Sequence, residues 1–210
     1  MGNGYKELRG VYRSLSENPR LKRYLAAFFV YSMAVQTVML VATYFGEQEI
    51  SWGGSSEKTM GLITSILVIQ LVAVLGATLT AFASKKYGNI RTLIVINIIW
   101  VGICIVAYFI NYPFEFYATA GVVGLVMGGI QALSRSTYSK FLPETEDTTS
   151  YFSFYDVAEK IGIVIGMGIY GVIDQVTGSM RNSVVFLILF FVVGVLLLLR
   201  VPKASKEEKA

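Results

Sequence analysis

Six long runs of apolar residues constrain the fold of this 210-residue chain more than any other feature of its sequence. A helix needs about 20 apolar residues to cross the roughly 30 Å hydrocarbon core of a bilayer. Hydrophobic residues make up 54% of the chain and charged residues only 15%, as is typical of membrane proteins. The sequence therefore predicts an all-α membrane protein with six transmembrane helices, at about Leu25–Tyr44, Met60–Ala83, Thr92–Ile110, Phe114–Leu133, Tyr151–Ile173 and Ser183–Leu199.

Lysine and arginine are distributed unevenly between the two ends of these helices. Fifteen of the 18 fall in the N-terminal segment, the second loop, the fourth loop and the C-terminal segment, whereas Lys58 and Arg181 are the two on the other side. Because cytoplasmic segments of membrane proteins are enriched in Lys and Arg, both termini are predicted to be cytoplasmic. The net charge of +4 is thus interpreted as a topology signal, and no nucleic-acid partner is expected.

The charge pattern divides the chain into three parts. Residues 1–23 are predicted to be a cytoplasmic basic segment, residues 24–200 the transmembrane domain and residues 201–210 a charged cytoplasmic tail. Within the first part, apolar residues recur at helical spacing between basic ones, which suits a short helix lying on the membrane surface. A solvated linker is the alternative interpretation of the same residues.

Polar side chains at membrane depth follow a repeating order along the six runs. The third run has one amide, Asn97, and the sixth has no polar side chain beyond Ser183, so these two can face lipid. The first, second, fourth and fifth carry several polar residues each. The order polar, polar, apolar therefore occurs twice, which is typical of a three-plus-three inverted repeat with a peripheral third helix.

The fifth run carries the charged residues Asp156, Glu159 and Lys160 on one helical face. Each costs about 3 kcal/mol near the bilayer centre, so this face has to contact other helices or water. Asp156 precedes Lys160 by four residues, which favours a pair within the helix and leaves Glu159 without a partner there. Two interpretations remain: a substrate or coupling-ion site in a central cavity, and a buried ion pair that holds two helices together.

Neutral polar residues on other helices are predicted to complete the site. Their candidates are the amides Gln36, Gln70 and Gln131, with Tyr155 beside the charged residues. At the cytoplasmic end of the fourth run, Ser134, Arg135 and Ser136 are predicted to form part of a cytoplasmic gate.

Other site chemistries find little support in the residues. The chain has no histidine and one cysteine, Cys104, so the sequence predicts no internal disulfide, histidine proton relay or histidine metal site. Gly166–Gly171 matches G-x-G-x-x-G but follows no strand, and small residues that let helices approach explain it better. The same explanation applies to the pairs Gly124/Gly128 and Gly162/Gly166. Nothing points to an enzyme, a metal or a cofactor.

The segment "GGIQALSRS" at 128–136, followed by Phe152, Tyr155, Lys160 and "TGSMR" at 177–181, resembles the C-terminal half of major facilitator transporters. It is most similar to the branch of the autophagy-related vacuolar amino-acid effluxers and their bacterial homologues. That resemblance implies two six-helix halves with the transport pathway between them. It also implies an integral protein of a bacterial cytoplasmic membrane.

The chain departs from this family in several places. Met33-Ala34 stands where the family often has Asp-Gly, and Ser153 where it often has Gly. Gly166-Met167 occurs where the family often has Gly-Pro. Lys85 lies near the position of the acidic residue in the superfamily's cytoplasmic loop motif. These differences count against a conventional coupling mechanism.

The expected function is that of half a secondary transporter, which moves a small solute across the membrane by alternating access. The resemblance makes an amino acid the expected solute class. A six-helix half needs either a second copy or a different six-helix half to enclose a pathway. A membrane scaffold or regulator that does not transport is the alternative.

Overall fold

The computed structural model describes residues 18–143 and 148–202, and these ranges contain six helices. They are α1 Pro19–Glu49, α2 Ser55–Tyr87, α3 Asn89–Phe109, α4 Pro113–Phe141, α5 Thr148–Thr177 and α6 Met180–Leu199. Each predicted apolar run falls in its own helix, although α3 ends one residue before the predicted Ile110. The all-helical fold class is therefore confirmed. The surface helix predicted within residues 1–23 lies mostly outside the described residues, as does most of the tail at 201–210.

The helices extend beyond their apolar runs. α1, α2, α4 and α5 have 31, 33, 29 and 30 residues, or about 44–50 Å at 1.5 Å per residue, which exceeds the bilayer core. Five of the six described helices are long and apolar enough to cross a membrane. α5, which carries the charged cluster, is not among them. It therefore depends on its neighbours more than the other helices do.

Local sequence signals set the helix ends. Asn18 caps α1 by accepting a hydrogen bond from the Leu21 amide at 3.1 Å, and Pro19 occupies the first helical position. Gly88 separates α2 from α3 with a φ of 89°, in the left-handed region that favours glycine. At the start of α4, the Glu115 carboxylate accepts a hydrogen bond of 2.8 Å from the backbone N–H of Asn111, so the turn and the first residues of the helix stabilise each other.

α1 lies at the centre of the bundle and packs against α4, α5 and α6. α3 and α6 bury one side against each other, where Trp100 stacks on Phe191 with ring centroids 5.6 Å apart. Asn97, the one amide of the third run, is fully buried on this side and donates to the Leu93 carbonyl at 2.8 Å. The helix with the fewest buried residues is α2, not α3 or α6. The apolar composition of α3 and α6 therefore does not make them the most exposed helices of the bundle.

Glycines allow α2 and α4 to pack backbone to backbone. A Cβ on Gly124 would lie 2.6 Å from the Ile69 carbonyl oxygen, and one on Gly128 would meet the Ala73 carbonyl. A Cβ on Gly76 of α2 would likewise meet the backbone carbonyl of Leu125 on α4. The interpretation of Gly124/Gly128 as a close-approach pair is confirmed. Gly166 similarly lies against α1, where a Cβ would approach Met33 Cγ at 2.8 Å.

At the end of the bundle opposite Asn18, Arg181 joins three helix ends. Its Nε lies 2.7 Å from Glu49 Oε2 on α1, and its Nη1 donates to the Tyr108 carbonyl of α3 at 2.6 Å. Its Nη2 also reaches Asn111 Oδ1 at 3.1 Å. These contacts use the planar fork of the guanidinium and tie α6 to α1 and to the α3–α4 turn.

Replacing Gly128 by alanine is expected to destabilise the fold by about 1–3 kcal/mol, because the added methyl group forces α2 away from α4. Gly121→Ala is the matched control on the same helix, since no heavy atom lies within 4 Å of its added Cβ. That change should be neutral or stabilising by up to about 1 kcal/mol. Melting temperatures of the two purified variants in detergent check this, and equal values would contradict the close packing of α2 and α4.

Candidate functional site

A cavity of about 640 Å³ lies between α1, α4 and α5. It is open on one side. Its lining combines polar and charged residues with four aromatic rings: Ser32, Gln36, Gln131, Ser134, Arg135, Ser136 and Glu159, with Phe28, Tyr31, Phe152 and Tyr155. A concave site of this size, with convergent polar groups beside aromatic rings, suits a small solute.

Glu159 is held by a residue of another helix. Its Oε1 accepts a hydrogen bond of 2.8 Å from Gln36 Nε2 on α1, and both side chains line the cavity. The sequence leaves Glu159 without a partner in its own helix, and the structure supplies one across the cavity. This contact satisfies part of a half-buried carboxylate while leaving its other oxygen available to a ligand.

The predicted pair between Asp156 and Lys160 is wrong. Asp156 Oδ1 lies 3.4 Å from Arg135 Nη1 on α4 instead. Lys160 is exposed, and no ion pair within residues 18–143 and 148–202 includes it. The preference for an (i, i+4) pair is a fraction of a kcal/mol, so a partner on a neighbouring helix overrides it. The side chains of Arg135 and Asp156 are 55% and 49% exposed, so this pair itself contributes little to stability.

Aromatic rings fill the space between α4 and α5. Phe28 of α1 stacks on Tyr155 with centroids 4.2 Å apart, and Tyr138 of α4 lies 4.9 Å from the same ring. Phe152 contacts Tyr138 edge-on at 5.6 Å, and the Arg135 guanidinium lies 5.2 Å from the Phe152 centroid. Tyr138 also donates to the Tyr151 carbonyl at 2.7 Å. These rings form a rigid wall that also orients Arg135.

Ser134 connects α4 to α1 beneath this wall. Its hydroxyl shares a hydrogen bond of 2.7 Å with Tyr31, and its carbonyl accepts from Tyr24 at 2.7 Å. Ser134 is 2% exposed, whereas its neighbours Arg135 and Ser136 are exposed. Of the three residues predicted as a gate, the buried Ser134 therefore links α4 to α1, whereas Arg135 and Ser136 are exposed.

The structure gathers most of the predicted site residues but not all. The predicted residues that line the cavity are Gln36, Gln131, Ser134, Arg135, Ser136, Tyr155 and Glu159. Asp156 lies beside it through Arg135, whereas Lys160 and Gln70 are exposed and do not line it. The predicted site did not include Phe28, Tyr31 or Ser32. Ser32 had a signal as a polar residue at membrane depth, whereas two aromatic residues in an apolar helix have none.

Comparison with solved structures identifies the fold. The fold matches the crystal structure of the fucose:proton symporter FucP of Escherichia coli with a TM-score of 0.71. The match covers 92% of this chain and 45% of the symporter, at 15% sequence identity. The chain therefore has the fold of somewhat less than half of this symporter.

The family follows from the sequence. A profile of the vacuole effluxer Atg22-like family matches residues 1–210, so the chain belongs to that family. It is similar to the MFS-type transporter YxiO of Bacillus subtilis, with 29% identity over 98% of this chain and 46% of that protein. It is also similar to autophagy-related protein 22 of Saccharomyces cerevisiae, with 28% identity over 88% of this chain and 36% of that protein. The predicted resemblance is confirmed, and the chain is an integral membrane protein that spans less than half the length of these relatives.

The corrected pairing predicts how two substitutions affect stability. Lys160→Met should change the free energy of unfolding in detergent by no more than about 0.5 kcal/mol, because Lys160 is exposed and has no partner among the described residues. Ser134→Ala should cost about 1–3 kcal/mol, because it removes the closer of the two hydrogen-bond partners of the buried Tyr31 hydroxyl and leaves the Tyr24 hydroxyl at 3.4 Å. Thermal unfolding of both variants measures this. A larger loss for Lys160→Met than for Ser134→Ala would restore a structural role for the lysine.

Proposed function

We propose that the chain is half of a secondary transporter that moves a small solute by alternating access, in a bacterial cytoplasmic membrane. The cavity between α1, α4 and α5 is the observation that carries this proposal. It combines a cation, a carboxylate, two glutamine amides and an aromatic wall on the open side of the bundle. Membership of the Atg22-like family and the likeness to a bacterial MFS-type transporter support it.

The proposed solute class is the amino acids, because the cavity presents opposite charges at separate points. Arg135 could bind a carboxylate in place of Asp156, which it holds only at 3.4 Å and at an exposed position. Glu159 has an oxygen that does not accept from Gln36 and could bind an ammonium group. The rings of Phe152 and Tyr155 on α5 lie 5.2 and 5.9 Å from the Arg135 guanidinium and precede Glu159 by two turns and one turn, so they suit the solute side chain.

Glu159 is also the proposed coupling group. It is the one carboxylate in the described lining of the cavity, so a cation or proton bound there would change the net charge at this position. Gln36 remains hydrogen-bonded to it from α1 and would transmit that change to the central helix.

A second six-helix unit is proposed to cover the open side of the cavity. Asp156 and Lys160 are partly or fully exposed on α5, and charged groups at membrane depth do not face lipid. α2 adds a broad apolar surface on which Leu71 is 73% and Val74 67% exposed. The partner is either a second copy of this chain or a different half, consistent with the chain spanning less than half of its relatives.

The orientation proposed for this half places both termini in the cytoplasm. The described basic residues Arg20, Arg91 and Lys140 meet at the end of the bundle where α6 finishes. At the opposite end, Lys58 and Arg181 each pair with a glutamate of α1, at 3.1 and 2.7 Å. Among the described residues Arg91 and Lys140 belong to no ion pair, so positive charge without a counter-ion lies at the end where α6 finishes, which supports a cytoplasmic location for that end.

Transport measurements on Glu159→Gln test the site. Flux of a radiolabelled amino-acid mixture is measured in membrane vesicles of expressing cells. Loss of a charged hydrogen-bond acceptor should lower the flux by about tenfold or more. Asp174→Asn is the matched control, because it removes a carboxylate from the same helix outside the cavity, and it should leave flux unchanged. If folded Glu159→Gln transports like the parent, the site is wrong, whereas a parent that gives no flux above vesicles without the protein would make a scaffold role the better explanation.

Crosslinking tests the proposed partner surface. On a Cys104→Ala background, a single cysteine at Val164, one turn beyond Lys160, should crosslink in native membranes to a second six-helix unit. A cysteine at Leu189 on α6 is the control, with 52% exposure against 73% at Val164. It should give no such product, because α6 packs mainly against α3 and α1 and contributes no residue to the cavity that the second unit covers. Equal crosslinking from both positions, or none from Val164, would contradict the interface.

A further inference from the structure

A second cavity, of about 730 Å³, lies at the end of the bundle where α1 begins and α6 finishes. The α2–α3 turn and the ends of α1, α4 and α6 form its walls. Arg20, Arg91 and Lys140 line it, and the described lining contains no acidic side chain. It shares no residue with the cavity that contains Glu159.

A neutral amide, not a carboxylate, positions Lys140, one of the two cations that carry this inference. Lys140 Nζ donates to Asn89 Oδ1 at 3.3 Å, and the Asn89 amide is oriented by its own donation to Thr137 Oγ1 at 2.9 Å. No ion pair within the described ranges includes Arg91 or Lys140. Their positive charges therefore remain available to an anion that enters the cavity.

Apolar residues line the rest of the same cavity. Ile90 and Ile94 of α3 face it from one side, and Leu198 and Leu199 of α6 from the other. Leu199 is 64% exposed at the end of a helix that is apolar enough to cross a membrane. A soluble anion such as inorganic phosphate would contact the cations and leave this apolar wall unused.

We propose that this cavity binds an anionic phospholipid of the leaflet at this end of the bundle. The phosphate contacts Arg91 and Lys140, and the first part of an acyl chain lies along Ile94 and Leu199. Basic pockets between transmembrane helices are suited to anionic headgroups, and a hydrocarbon wall beside the cations selects a lipid over a free anion. Because the lipid contacts α3, α4 and α6 together, its binding joins the helix ends around the α2–α3 turn. This site is independent of the proposed transport function.

Native mass spectrometry of the purified chain tests the proposal, with phosphatidylglycerol or phosphatidylcholine added to the detergent solution. The parent should bind phosphatidylglycerol more tightly than phosphatidylcholine. The double variant Arg91→Gln/Lys140→Gln should weaken phosphatidylglycerol binding by roughly 25-fold, about fivefold for each cation lost. If the double variant does not fold, the two single variants decide the question, each with an expected loss of about fivefold.

A matched control separates the cavity from general surface charge. Lys22→Gln/Lys85→Gln removes the same charge from the same end of the bundle, at exposed residues that do not line the cavity. It should bind phosphatidylglycerol as the parent does. An equal loss in this control, or equal binding of the two lipids by the parent, would overturn the proposal. Displacement of phosphatidylglycerol by millimolar inorganic phosphate would also overturn it and identify a soluble anion instead.

Discussion

The hydrogen bond from Gln36 to Glu159 joins the central helix α1 to the one described helix that is not apolar enough to cross a bilayer alone. A carboxylate at membrane depth is costly unless a donor satisfies it, and an amide from a neighbouring helix is a suitable donor. α1 can supply that donor because its other sides are already buried against α4 and α6. The position of α5, and with it the shape of the cavity, follows from this contact and from the stacking of Phe28 on Tyr155.

Two kinds of helix contact explain why the cavity forms where it does. Between α2 and α4, glycines have no side chain to keep the helices apart, so the two backbones lie in contact, as at Gly128 and Ala73. Between α4 and α5, the rings of Tyr138, Phe152 and Tyr155 fill the interface. Large side chains hold two helices further apart than glycines do, so open space remains beside the rings. The same four-residue spacing of glycines that brings α2 to α4 is absent from the α4–α5 contact.

The sequence predicted the six helices well, because long apolar runs and their capping residues are local signals. It also identified most of the cavity, since Gln36, Gln131 and Glu159 are polar residues where apolar ones are expected. It failed where the answer depended on contacts between helices. The spacing of Asp156 and Lys160 describes one helix only, and nothing in that spacing shows that Arg135 lies 3.4 Å away on α4. Gln70 was included for its polarity, but its side chain lies on the exposed surface of α2.

Arg181 makes the shortest ion pair of this half at one end of the bundle, whereas Lys160 and the weakly paired Arg135 and Asp156 lie beside the open cavity. Arg181 makes its contacts with Glu49, Tyr108 and Asn111, all within the same six helices, so a rocking motion of this half against another would break none of them. The close packing of α2 on α4 would be preserved in the same way. By contrast, Lys160 has no partner among the described residues, and Arg135 holds Asp156 weakly at an exposed position. Strong contacts inside the unit and weakly paired charges on one face fit the proposed movement of two halves around a shared cavity.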